Sequence, residues 1–292
     1  MTIAELIVPC ADQCGESALW DWRSRTLYWL DLYRPTLHWL STSRQHHVYP
    51  ITGTDLLACL LLRPAAGLPC LISRDSIGSM EISGTVARFH AEKQLVDRDA
   101  REAFSDGKTH PAGVAWLGTS DTKEQEAIGQ LAVFRSDAPT VFVDDKIIVS
   151  NGPAFSPDGG FAYFSDTMAR KILRYRVGED GVPTAERKVF AEFGEADGNP
   201  DGLTVDADGR IWVAMWDGGS VRCLDTEGRE LTRITVPARR VTSVAFGDDD
   251  LSTLYITTAA VGLDDAAIAR GAGGLFAVRP GAIGRQEPVI RF

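Results

Sequence analysis

The chain has 292 residues, of which 44% are hydrophobic and 24% charged, a composition that excludes a disordered chain and supports a sizeable apolar core. Its 40 Asp and Glu residues outnumber 30 Lys and Arg residues, and the net charge of −10 without any basic cluster excludes nucleic acid as a partner. The five scattered cysteines are unlike a disulfide framework, and no apolar run approaches the roughly 20 residues of a membrane helix. We therefore expect a cytoplasmic protein with no membrane partner.

In chain order, the predicted elements repeat one pattern. Each copy has a short apolar strand, a turn rich in Gly, Pro and Asp, and a second strand rich in aromatic and β-branched residues. The copies read "ESALWDWRSRTLYWLD", "DLLACLLLRPAAGLPCLIS", "DGKTHPAGVAWLGT", "NGPAFSPDGGFAYFSD", "DGLTVDADGRIWVAM" and "TSVAFGDDDLSTLYITT". They start at residues 16, 55, 106, 151, 201 and 242, about 45 residues apart.

Units of this length, with about four short strands each, are typical of propeller blades. The sequence therefore predicts an all-β fold, a six-bladed β-propeller with four antiparallel strands per blade. We expect residues 1–292 to form this propeller as a single domain. The structural alternative is an eight-stranded barrel or a sandwich, because hairpin meanders share the alternation of apolar and polar residues but not the period.

The first residue of each copy precedes the innermost strand of its predicted blade, so these residues would gather at one mouth of the central channel. They are Glu16, Asp55, Asp106, Asn151, Asp201 and Thr242. Taken singly, most of them suit a turn, since Asn-Gly and Pro-Asp-Gly are common turn sequences. Taken together, several carboxylates at one mouth repel one another unless a proton, a basic side chain or a cation neutralises them.

A bound cation is the simplest of these solutions. Carboxylate and amide oxygens favour calcium, manganese, magnesium or ferrous iron, with zinc kept as an alternative. Glu16 and Asp201 would neutralise a divalent ion and, with Asn151, leave positions open for water and substrate, which points to catalysis rather than structure. We therefore expect one divalent metal ion as the cofactor.

The quoted stretches, together with "CGESALWDW", "SNGPAFSPDGG" and "GAGGLFAV", occur in an order and at a spacing that resemble the senescence-marker-protein, gluconolactonase and luciferin-regenerating-enzyme family over nearly the whole chain. The resemblance implies a six-bladed propeller in which Glu16, Asn151 and Asp201 hold the metal. It also implies that Asp201 is catalytic, as the proton acceptor or donor when water opens a sugar lactone to an aldonic acid. On this interpretation the protein is an enzyme of carbohydrate metabolism that acts on a small lactone, as a monomer or weak oligomer.

The expected substrate contacts depart from the family pattern. Where members carry an Arg and an Asn ahead of Asp-Gly, this chain has Ala103 and Ser105, and Lys123 stands where many members carry a Glu. The predicted substrate-binding residues are Ser105, Asp106 and Lys123. Two nearby basic side chains are alternative hydrogen-bond donors to substrate: Arg101 and Lys108. An aromatic residue, Trp216, is a further candidate for stacking on a sugar ring.

Two other functions remain compatible with the residues. The first is a propeller that serves as a binding or scaffolding module without a metal or catalysis. The second is a hydrolase of a non-sugar lactone or a phosphotriester that uses the same metal site, which the altered substrate contacts keep open.

Overall fold

The computed structural model describes residues 2–96, 101–136, 138–185 and 187–291, so the two ends of the predicted domain, residues 1 and 292, lie outside the described residues. Two short strands begin the chain, β1 (Thr2–Ile3) and β2 (Glu5–Val8). The next two hairpin series are β3 (Gly15–Asp21), β4 (Thr26–Asp31), β5 (Thr36–Ser41) and β6 (His46–Thr52), then β7 (Leu57–Leu61), β8 (Cys70–Ser73), β9 (Ser76–Ser83) and β10 (Val86–Gln94).

The middle of the chain forms two further series of four strands. They are β11 (Glu102–Thr109), β12 (Ala115–Asp121), β13 (Gly129–Phe134) and β14 (Val141–Ile147), then β15 (Ser150–Phe155), β16 (Phe161–Asp166), β17 (Lys171–Arg176) and β18 (Lys188–Glu192).

The last part of the chain contains seven strands and two short helices. A 3-10 turn (Glu195–Asp197) precedes β19 (Asn199–Val205), β20 (Ile211–Trp216), β21 (Ser220–Leu224) and β22 (Glu230–Thr235). The last strands are β23 (Arg240–Gly247), β24 (Thr253–Ala259) and β25 (Leu275–Val278), with the five-residue helix α1 (Asp265–Ala269) between β24 and β25. Among the described residues, no helix is long and apolar enough to cross a membrane.

Hydrogen bonding arranges these strands in five sheets. Three sheets are four-stranded, with the orders β11-β12-β13-β14, β15-β16-β17-β18 and β2-β25-β24-β23. A fourth has the order β1-β22-β21-β20-β19, in which β1 lies parallel to β22. The fifth contains eight strands, in the order β3-β4-β5-β6-β10-β9-β8-β7.

The prediction of a six-bladed propeller with four antiparallel strands in every blade is therefore wrong. The fold is all-β and propeller-like, but four sheets of four or five strands accompany one eight-stranded sheet. The physical reason is a parallel contact between two outer strands, because β10 pairs with β6 through Ala87 with Ile51 and Arg88 with Thr52. The sequence period records the hairpin series, but it carries no information about how outer strands of adjacent series pair.

The first strand of each hairpin series lies innermost. These strands contact their neighbours in the order β3, β7, β11, β15, β19 and β23, and β23 returns to β3. Apolar clusters fill the space between adjacent sheets; one of them joins Trp212 and Val221 to Phe246, Leu254 and Phe276. This ring of inner strands places the start of each strand at one end of a central channel and its end at the other.

A C-terminal segment, residues 283–291, spans the far end of the channel, and we call it the C-terminal strap. Its backbone pairs with turns that follow the inner strands: Gly284 N–H donates to Leu251 O (2.7 Å), Ile290 N–H to Leu62 O (2.8 Å) and Arg291 N–H to Gly113 O (2.8 Å). The remaining inner-strand turns are reached by three further contacts: Ala207 N–H to Ile283 O, Trp22 Nε1 to Glu287 O, and Arg285 to Ser156 O and Pro157 O. The strap thus links every hairpin series at this end.

Candidate active site

A cavity of about 210 Å³ opens at the near end of the channel, where the inner strands begin. Four of the predicted metal ligands and substrate-binding residues line it: Glu16 from β3, Ser105 from β11, Asn151 from β15 and Asp201 from β19. The structure therefore brings the three predicted metal ligands and one predicted substrate contact into one cavity, although they are far apart along the chain. Their roles as ligands and as catalytic groups stay predictions.

Irregular strand pairing explains how these side chains reach the channel. The register between each inner strand and its partner shifts between Glu16 and Leu19 in β3, and between Asn151 and Ala154 in β15. The same irregularity flanks Asp201 in β19 and Ser105 in β11. A bulge breaks the strict alternation of a strand and turns its side chains toward a new direction, which is why such irregularities are common next to sites.

Asp201 is 4% exposed, and its Oδ1 atom is buried with no hydrogen-bond partner among the described residues. Its backbone is held firmly, because Ser165 Oγ donates to Asp201 O at 2.8 Å. Burial, followed by the negative charges of Glu16 and Asp106, raises the pKa of Asp201 well above its usual value. A buried carboxylate oxygen without a donor requires a proton or a cation.

Asn151 presents its carbonyl oxygen to the cavity because of a hydrogen-bond chain behind it. Thr167 Oγ1 donates to Pro200 O at 2.8 Å, so the same hydroxyl can only accept from Asn151 Nδ2, which lies 3.0 Å away. The amide orientation is thereby fixed. Asn151 Oδ1 remains as an acceptor for a ligand.

Glu16 is almost fully buried, and one of its oxygens accepts a hydrogen bond from Ser17 N–H at 2.9 Å. Burial, with a contribution from the charge of Asp106, raises the pKa of Glu16 to about 8. Near neutral pH this carboxyl group therefore holds a proton unless a cation offsets the negative charge.

Asp106 lies beside the cavity rather than among the residues that line it. Its two oxygens accept hydrogen bonds from Gly107 N–H (2.7 Å) and Gly152 N–H (2.8 Å). Burial raises the pKa of Asp106 to about 6. The carboxylate thus holds the backbone next to Asn151, and its predicted contact with substrate stays a prediction.

Lys123 is exposed and is not among the residues that line the cavity, whereas the adjacent Glu124 is. The turn that carries both is fixed by Asp121, whose carboxylate accepts from Lys123 N–H at 3.1 Å. The two alternative donors are engaged elsewhere: Arg101 bonds Asp121 and Glu126, and Lys108 Nζ donates to Leu203 O. The structure therefore brings Glu124, and none of these three basic side chains, to the cavity.

The two remaining repeat positions do not line the cavity. Asp55 is exposed and pairs with Arg74 at 3.1 Å, while Thr242 is buried and donates to Gly15 O. Sequence reasoning missed Cys14, Thr167 and Asn199, which do line it. Asn199 stands two residues before Asp201 in the same strand, so alternation along β19 was the available signal for that residue.

Six of the residues that line the cavity are apolar or aromatic, and we call this group the apolar rim. It consists of Leu32, Tyr33, Val149, Met168, Trp216 and Val261. Trp216 is the one member that the sequence named. The others lie in turns or at strand ends, where no periodic pattern marks them.

The donor set fits a divalent cation that prefers oxygen ligands. It offers an unpartnered carboxylate oxygen of Asp201, the free amide oxygen of Asn151 and the carboxylate of Glu16. Within the described ranges, no group of three or more His, Cys, Asp or Glu side chains is placed to hold a metal ion. The predicted ligand set has two carboxylates and the amide of Asn151. Because Asn is not one of those four residue types, the predicted set differs from such a group.

Proteins with the same fold include the calcium-binding protein regucalcin from Agrobacterium tumefaciens, which superposes with a TM-score of 0.91 at 27% identity over 100% of both chains. The chain is 34% identical to pentonolactonase XacC from Haloferax volcanii over 98% of this chain and 97% of that one. It is also 34% identical to 6-deoxy-6-sulfogluconolactonase from Pseudomonas putida over 94% of each. Residues 14–260 match the SMP-30/Gluconolactonase/LRE-like region, and the chain belongs to this family.

Proposed function

We propose that this chain is a divalent-metal-dependent hydrolase that opens sugar lactones to aldonic acids. The observation that carries the proposal is the buried Asp201, whose Oδ1 lacks a partner among the described residues and which shares one cavity with Glu16 and Asn151. The names of the two relatives at 34% identity, both lactonases, support the reaction class. The calcium-binding relative of known structure supports a divalent cation.

Glu16, Asn151 and Asp201 would hold the cation. When bound, a divalent cation supplies Lewis acidity toward the lactone carbonyl and lowers the pKa of water close to it. As a carboxylate, Glu16 would offset part of the charge of the cation. Because the pKa of Glu16 is raised in the cation-free protein, Glu16 would release its proton when the cation binds.

Asp201 would move the proton. The oxygen of a water molecule would attack the carbonyl carbon, and one proton of this water would pass to Asp201. The bond between that carbon and the ring oxygen would then break. The ring oxygen would take the proton from Asp201 and become a hydroxyl group. Coordination to a cation lowers the basicity of a carboxylate, so the lowered pKa of water close to the cation would supply part of the driving force for this proton transfer. No serine or cysteine nucleophile is required.

Ser105 and Glu124 are the polar groups proposed to orient the lactone hydroxyls. Ser105 Oγ donates to Ser150 O at 2.6 Å, so it retains lone pairs that can accept a bond from a substrate hydroxyl. Glu124 is exposed at the cavity wall and can accept from another hydroxyl. We place Asp106 as a positioning residue, because its carboxylate already bonds two backbone amides.

The test compares Asp201→Asn with a control in the same hairpin. Asparagine keeps the shape but removes the charge and the base, so we expect kcat to fall by about 10²-fold or more and divalent cation affinity to fall with it. Asp208→Asn is the matched control, because Asp208 is exposed in the turn after β19 and its carboxylate pairs with Arg210 on the surface. Lactone hydrolysis is followed by acid release, and cation binding by calorimetry on the metal-stripped protein.

Two results would overturn the proposal. Full activity in Asp201→Asn would remove Asp201 from the chemistry. Purified protein that binds no divalent cation and hydrolyses no aldonolactone would instead favour a scaffolding role for the fold.

A further inference from the structure

The apolar rim carries large side chains that are exposed to solvent at the mouth of the cavity. Tyr33 is 54% exposed and Met168 is 47% exposed, and both line the same opening. Trp216, Val261 and Leu32 are partly exposed beside them. Exposed apolar surface gathered around a cavity marks a place where a ligand covers it.

The charged residues that line the cavity are all acidic. Glu16, Glu124 and Asp201 contribute carboxylates, and no Lys or Arg is found among the lining residues that the structure describes. A divalent cation would balance two of these charges, so the wall near Glu124 retains a negative field. A substrate that carries its own carboxylate, sulfonate or phosphate would find no partner here.

Two guanidinium groups contact residues that line the cavity, and both are already bonded. Arg240 stacks over the Trp216 ring at 4.9 Å, pairs with Asp217 at 3.1 Å and donates to Val261 O. Arg170 donates to Asn199 Oδ1 at 3.0 Å. These arginines therefore hold rim and wall residues in place and do not present a positive charge to the substrate.

We propose that the site selects an uncharged lactone whose chain end, remote from the carbonyl, is alkyl or deoxygenated. This inference rests on the proposed function and names its substrate class. The polar ring would occupy the floor among Asn151, Ser105 and Asp201, while a terminal methyl or short alkyl group would contact Tyr33, Met168 and Trp216.

Three ends of the same lactone differ in how favourably they contact the apolar rim. A methyl group gains burial against the rim, with no polar group to desolvate. A hydroxymethyl group must leave water where the rim offers apolar carbon, and loses part of that gain. A carboxylate loses more, because it approaches the Glu124 carboxylate and none of the described Lys or Arg residues lines the cavity to pair with it.

The experiment uses three aldonolactones that share ring size and ring configuration and differ only at the terminal carbon, as methyl, hydroxymethyl or carboxylate. With the cation-loaded protein we expect kcat/KM to be highest for the methyl compound and about tenfold or more lower for the carboxylate, with the hydroxymethyl compound between them. Equal values, or the highest value for the carboxylate, would overturn this inference but leave the lactonase proposal intact. Hydrolysis of none of the three would overturn both.

Met168→Lys sharpens the test because it adds one cation to the rim. We expect the ratio of kcat/KM for the carboxylate lactone over the methyl lactone to rise by about threefold or more. Val189→Lys is the control, since Val189 is 51% exposed on the outer strand β18 and changes the net charge equally. An equal rise of the ratio in both variants would show that overall charge, and not the rim, sets the preference, and would overturn the inference.

Discussion

The two ends of the central channel are built from the same inner strands but are completed in opposite ways. At the far end the C-terminal strap bonds the turns of every hairpin series. At the near end Glu16 and Asp201 are buried together, and Asp201 Oδ1 has no partner among the described residues. The far end therefore pairs the backbone of its turns with the strap, while the near end leaves a buried carboxylate oxygen for a ligand.

The charges of the two ends follow the same division. Lys108 extends toward the far end, where its Nζ lies 3.4 Å from Glu287 Oε1 and 3.1 Å from Leu203 O. The acids of the near end have no such counterion among the residues that line the cavity. The strap end therefore contributes to stability, whereas the cavity end gathers negative charge that a cation can offset.

The largest expected effect is a pH dependence of the metal-stripped protein. The pKa of Glu16 is raised from 4.5 to about 8 and that of Asp106 from 3.8 to about 6, and that of Asp201 is raised as well. The folded state then binds more protons than the unfolded state, so the stability from these groups is present below about pH 4 and is lost as the pH rises through 8. The thiol of Cys14 stays neutral in this window, because burial raises its pKa.

Urea unfolding with a chelator at pH 5 and pH 8 measures this effect. We expect the midpoint to be clearly lower at pH 8, and added divalent cation to raise it there more than at pH 5. Glu16→Gln is the control, because it removes one titrating group and should flatten the dependence. Equal stability of the chelated protein at both pH values would contradict the electrostatic interpretation of the near end.

The second prediction concerns the strap. Ile290 is 1% exposed and packs in the cluster that contains Phe104 and Phe134, so Ile290→Ala should lower the free energy of unfolding by about 2–5 kcal/mol. Ile283→Ala in the same strap is the matched control, since Ile283 is 59% exposed and its removal should change stability by about 0.5 kcal/mol or less.

Divalent cation affinity of the strap variants tests whether the two ends of the channel are independent. Because Ile290 does not line the cavity, Ile290→Ala should bind the divalent cation as the unaltered protein does, at a temperature where both are folded. A strap variant that loses stability and cation affinity in parallel would show that the two ends are coupled, and the division drawn here would not hold.

The sequence predicted the near end better than it predicted the sheets. The repeat marked the residues of the inner strands that precede the channel, and Glu16, Asn151 and Asp201 do line one cavity. These three side chains converge because each one sits at the same place in a hairpin that folds locally, and their roles in binding and catalysis stay predictions. The pairing of β6 with β10 was out of reach, because it joins the outer strands of two hairpin series and depends on their relative position.

The apolar rim was the other part that the sequence could not supply. Leu32 and Tyr33 lie in the turn after β4, Met168 in the turn after β16 and Val261 beyond β24. Turns have no side-chain period, so which of their residues face the channel depends on the path of each turn in the folded chain. The same holds for Glu124, which lines the cavity although Lys123 was predicted to contact substrate.

The last prediction concerns Thr167, which orients the amide of the predicted ligand Asn151. Thr167→Val keeps the shape of the side chain but removes the hydroxyl that accepts from Asn151 Nδ2 and donates to Pro200 O. The amide of Asn151 can then rotate, so we expect divalent cation affinity to fall by about tenfold, with the loss of kcat/KM restored by excess cation. Thr184→Val is the control, because Thr184 is exposed and, among the described residues, its hydroxyl bonds only Arg176 O, at 3.4 Å. If Thr167→Val lowers stability without changing cation affinity, Thr167 supports the fold alone and Asn151 does not depend on it for its orientation.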